Sequence, residues 1–190
     1  MIDGLVDHLE GTLGAIAAGW RTDPDGTPAP FQVVEFETGR IDDAVIYSTL
    51  GLSEYVLESP TADGHSHLEL IMIAPEGLRG SALPFQLLDI GRLVVERREL
   101  PGLGTIIRNN RTLADLSTMD ALYVGRPLYF TPEFATFSNG DRAVTIDWLL
   151  PVSQQEAAFV DANGWQAFEK LMYEREDLDP IDYNRASLLP

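Results

Sequence analysis

The sequence predicts an α+β fold, with a mixed, largely antiparallel sheet packed with helices in one domain over residues 1–190. Three observations predict it. Strands come in runs instead of alternating with helices, which disfavours a doubly wound parallel sheet. The chain is 45% hydrophobic over 190 residues, enough for one sizeable core. No low-complexity linker or internal repeat divides it.

Taken in order, Ile2, Leu5, Val6, Leu9, Leu13, Ile16, Ala17 and Trp20 recur at helical spacing and predict a helix over 2–20. Residues 22–30 are rich in proline, aspartate and glycine and predict a loop. Phe31–Glu37 and Asp43–Ser48 predict strands separated by a turn at Gly39, and Gly51 interrupts the pattern. Asp63-Gly64 is a hairpin-type turn signal, after which His67–Ile73 predicts a strong strand stopped by Pro75. Pro84 suits the first turn of a helix, and Leu83, Leu87, Leu88, Ile90, Leu93 and Val94 carry it to Arg97-Arg98. Pro101-Gly-Leu-Gly104 ends that unit, and strands are predicted at 104–108, 120–124, 127–130 and 142–150.

Ser153-Gln-Gln-Glu156 is a capping box, in which serine and glutamate satisfy each other's free backbone N–H groups at a helix start. Asn163-Gly164 stops that helix, and Trp165, Phe168 and Leu171 give the next one an apolar face. From about residue 177 the chain predicts a polar tail.

Composition excludes several functions. There are no cysteines, so disulfides, thiolate metal sites and cysteine nucleophiles are ruled out. Thirteen basic against 30 acidic residues give a formal charge of −17, which repels nucleic-acid backbones and anionic membranes and favours a basic protein partner. No basic n-region or membrane-length apolar run is present, so a cytoplasmic location is expected.

Chemistry is sparse. His65 and His67 share a strand face and are the best metal candidates, with Asp63 and Glu69 in reach and His8 the remaining histidine. A catalytic metal usually needs three protein ligands, so a small metal-dependent enzyme is the alternative and no cofactor is the expectation. Thr49-Leu-Gly-Leu-Ser53 is not a nucleophile elbow, which wants glycine two places on either side of the serine. Arg92, Arg97, Arg98, Arg108 and Arg111 suit an ion-paired helix end or a grip on an acidic ligand. Between Glu169 and Asp182 six acids face Lys170 and Arg175 in a spacing that does not match a calcium loop. Within it Glu174, Glu176, Asp177, Asp179 and Asp182 are the candidate contacts for a basic protein. A regulatory module receiving a peptide at a strand edge is a further alternative.

In order, Val45–Tyr55, His67–Ile73, Leu87–Val95, Gly104–Ile107, Val144–Glu156, Gly164 with Leu171, and Asp179-Pro180 with Arg185 resemble the successive blocks of the suppressor-of-fused family. The likeness runs over residues 5–188 and is to the single-domain bacterial type. It implies an α+β, non-catalytic protein-binding domain. Animal members sequester a transcription factor and carry a further C-terminal domain, which is not expected here. Thr105 stands where animal members have an acidic residue beside their bound peptide. Single-domain bacterial relatives imply an immunity protein neutralising a toxin, and the −17 charge suits a basic, nuclease-like one.

Overall fold

The computed structural model describes residues 2–37, 41–58, 65–108, 117–140 and 142–189. Helix α1 spans Leu5–Leu13. Five strands follow: β1 (Ile16–Thr22), β2 (Pro28–Phe36), β3 (Ala44–Leu50), β4 (Leu57–Glu58) and β5 (His65–Pro75). Helix α2 (Leu83–Arg97) separates them from β6 (Ile106–Arg108), β7 (Ala121–Gly125), β8 (Thr136–Asn139) and β9 (Arg142–Val152). Helices α3 (Gln154–Asn163) and α4 (Trp165–Tyr173) close the chain.

These nine strands form one sheet in the order β1-β2-β3-β5-β9-β7-β6, with β4 on β5 and β8 on β9. Among the described strand pairs β5 with β9 is parallel and the others are antiparallel. The expected mixed, largely antiparallel α+β sheet is therefore present.

Helices cover both faces. Leu68, Leu70 and Met72 of β5 join Phe31, Tyr47, Leu87 and Leu88 in the layer beneath α2. Ile71 and Ile73, with Ile146, Trp148 and Leu150 of β9, face α1, α3 and α4. A strand buried on both sides must be apolar at successive positions, which explains the unbroken hydrophobic runs of β5 and β9.

Three predicted elements differ. The helix expected over 2–20 ends at Leu13, because Gly14 adopts φ 101° and the chain turns into β1. Ile16 and Trp20 are four apart, an even spacing that puts them on one face of a strand as well as of a helix. Residues 127–130 form a turn closed by Phe130 N–H donating to the Pro127 carbonyl. The strand lies later, at the mostly polar β8, whose pattern carries little hydrophobic signal. The polar tail is packed: Ile181, Tyr183 and Leu188 are buried. The turns expected at Gly39 and Asp63-Gly64 lie outside the described residues.

Candidate functional site

At the start of α3 the capping box forms as expected. Glu156 N–H donates to Ser153 Oγ at 3.2 Å, and Ser153 N–H donates to Glu156 Oε2 at 2.8 Å. The same carboxylate does more than cap. Arg185 of the tail donates to Oε1 at 2.6 Å and to Oε2 at 3.1 Å, and Leu188 N–H donates to Oε1 at 2.9 Å. Arg185 also reaches the Pro151 carbonyl at 3.1 Å. Glu156 is fully buried, which opposes its ionisation, but the guanidinium and the Leu188 and Ser153 N–H groups together hold it below the usual glutamate range.

This anchor holds the tail that carries the C-terminal part of the acidic run, while Glu174 caps the end of α4. Glu174, Glu176, Asp177, Asp179 and Asp182 are all exposed. Asp179 accepts from Ile181 N–H and from the exposed Tyr129 hydroxyl at 3.3 Å, and Asp182 accepts from Asn184 N–H at 2.8 Å. Glu174 pairs with Lys170 one turn earlier. Tyr173, 69% exposed, stands at the head of the run.

A groove of about 640 Å³ lies between the second half of α2 and β6, the outermost strand on that side. Ile90, Leu93 and Val94 line it from α2, Leu100 and Leu103 from the connection, and Ile107 from β6. Arg97, Glu99 and Arg108 add charge to the lining. Leu93 was legible as part of the apolar helix face; that it is left 38% exposed at a sheet edge was not.

Among the metal candidates, Glu69 is fully buried and committed elsewhere. It accepts from Thr49 Oγ1 (2.5 Å), Gly51 N–H (3.0 Å), Ser53 N–H (3.1 Å) and Ser53 Oγ (2.7 Å). Burial pushes its carboxyl upward against these donors. Nδ1 of His67 bonds the Ser53 carbonyl, and Nε2 of His8 bonds the Phe134 carbonyl. Asp63 and the side chain of His65 lie outside the described residues. No cluster of three ligand-type side chains occurs among the described residues. Ser53 is thus part of the Glu69 network that shapes the Gly51 turn.

Of the arginines, Arg92 pairs with Asp23 and Asp89, and Arg108 with Asp161 of α3. Arg97 and Arg98 are exposed, and Arg111 lies outside the described residues. No helix among the described residues is long and apolar enough to cross a membrane.

Asp147 had no counterpart in the sequence reading, although it is the one acid in the apolar run of β9. It is 4% exposed, and burial pushes its carboxyl up to about 7, with Arg126 pulling the other way. The folded chain therefore holds this proton more tightly than the unfolded chain. That stabilisation is full below the ordinary aspartate range and is lost as pH rises through 7. Asp147→Asn should raise stability at pH 8 by roughly 2–4 kcal/mol and change little near pH 4. Urea unfolding at the two pH values checks this; equal gains at both would contradict it.

Comparison with known proteins places this geometry. The model of the suppressor of fused protein family matches residues 27–186. A suppressor-of-fused homologue from Neisseria gonorrhoeae superposes with TM-score 0.75 at 20% identity, covering 97% of this chain and 94% of its own. The Sufu–Fu complex gives TM-score 0.71 at 15% identity, over 98% of this chain and 91% of that one. Drosophila Suppressor of Fused gives 0.69 at 15% identity; 97% of this chain matches, spanning 50% of the fly chain. No curated protein matches in sequence. With its family model matched from residue 27 to residue 186 and its fold shared along nearly the whole chain, this protein belongs to the suppressor of fused family.

Proposed function

We propose that this chain is a non-catalytic protein-binding domain that neutralises a basic, nuclease-like toxin as an immunity protein does, in the cytoplasm. The observation that carries the reading is the exposed acidic surface of Glu174, Glu176, Asp177, Asp179 and Asp182 on an anchored segment. Acidic side chains on a segment already packed against the fold attract a basic partner without the cost of ordering its backbone. Tyr173 and Tyr129 beside them offer the aromatic anchors on which interfaces depend. The net charge of −17 extends the attraction over the whole molecule. That a relative is solved in a Sufu–Fu complex supports protein binding by this fold.

The test is to express the tagged full chain in its native host and recover its stoichiometric partner. The expected partner is basic, arrests growth when produced alone, and is harmless when co-produced with this chain. An acidic partner, or one without toxicity, contradicts the reading.

The groove beside β6 favours a second reading, a regulatory module that takes an extended apolar segment along the strand edge. Leu93→Arg separates the two. It abolishes binding if the groove is the seat and leaves binding intact if the acidic surface is.

A further inference from the structure

We propose that the tail from Asp177 to Leu189 is a strap that opens as one unit, held shut by the Glu156–Arg185 pair, and that its closure sets the acidic surface. The tail forms no strand of the sheet. Its hydrogen bonds shorter than 3.2 Å to the rest of the fold, among the described residues, converge on one place: Arg185 to Glu156 and Pro151, and Leu188 N–H to Glu156. The other ties are no shorter than 3.2 Å: Leu178 N–H to the Arg175 carbonyl at 3.2 Å, Thr118 Oγ1 to the Tyr183 carbonyl at 3.5 Å, Arg175 to the Leu188 carbonyl at 3.5 Å, and Tyr129 to Asp179 at 3.3 Å.

Its apolar anchors join both layers. Ile181 and Leu188 enter the core beneath α1, α3 and α4, while Tyr183 enters the one beneath α2. The strap therefore clasps the two layers at one end of the sheet, and one carboxylate locks it.

Removing one member of a buried ion pair leaves the other charged and dry. Here a cheaper response than unfolding exists. With Arg185 gone, opening the strap returns Glu156 to water while the sheet keeps its ladders. Asp177, Asp179 and Asp182 leave with the strap, so the docking surface is lost with the latch. This last consequence rests on the function proposed above.

Native-state hydrogen exchange on the full chain tests the latch without any partner, so its failure leaves the proposed function standing. In Arg185→Met, amides of residues 181–189 should lose protection by about a hundredfold or more, while β5 and β9 keep theirs. The double variant Glu156→Gln with Arg185→Met removes both charges and should restore much of the protection. Uniform loss across the sheet, unchanged exchange in 181–189, or a double variant as open as the single one would each overturn the proposal.

Discussion

Replacing Glu69 with leucine is expected to destabilise the fold by about 3–5 kcal/mol, although leucine matches the apolar neighbours of β5. Glu69 accepts from two backbone N–H groups and two hydroxyls, all within 3.1 Å. Thr49 and Ser53 are themselves fully buried. Without the carboxylate the buried Thr49 and Ser53 donors remain in the core with nothing to bond, each losing its hydration for no return. Gly51, at φ 96°, and the one-turn 3-10 helix Leu52–Glu54 would lose the group that orders them. Glu69→Gln keeps one acceptor oxygen and should cost less than leucine. Urea unfolding of the three chains at neutral pH gives the ranking. A loss below about 1 kcal/mol for Glu69→Leu would mean that water satisfies these donors.

The second large effect is expected at Gly104, where alanine should cost about 2–4 kcal/mol. Gly104 has φ +86°, a conformation that strains any residue with a Cβ. A Cβ there would sit 2.4 Å from Cβ of Trp165, an atom too close to the backbone to rotate aside. Backbone retreat is opposed because Gly104 N–H donates to the Val124 carbonyl at 2.8 Å. Gly140 supplies the control. It has φ +60° with nothing within 4 Å of its built Cβ, so Gly140→Ala should carry only the strain, about 1 kcal/mol. Equal losses at both sites would show that the contact with Trp165 contributes nothing.

Much of the fold was legible because it depends on local rules. Pro84 opens α2, Ser153 and Glu156 cap α3, and Gly164 separates α3 from α4, as chain-local chemistry requires. The doubly buried β5 and β9 announced themselves as apolar runs. What stayed hidden depends on residues far apart in the chain. Arg185 is 29 positions from Glu156, and its buried pairing turns a tail that reads as solvated into a clasp. Glu69 looked available for a metal because the residues that consume its lone pairs, Thr49 and Ser53, lie 20 and 16 positions away in the chain. β1 was misread because a spacing of four serves two periods. The acidic surface was legible as composition, since exposure is the default for carboxylates. Its ordering by the tail anchor was not.

Association kinetics with the recovered partner test the acidic surface most directly. Wild type is compared with a variant carrying Glu174→Gln, Glu176→Gln, Asp177→Asn, Asp179→Asn and Asp182→Asn, which removes five charges and keeps an acceptor oxygen at each position. The predicted result is a wild-type association rate that falls steeply between about 50 and 300 mM salt, and a variant rate at least about tenfold lower with a flattened salt dependence. A variant that associates as fast as wild type at every salt concentration would contradict docking on residues 174–182.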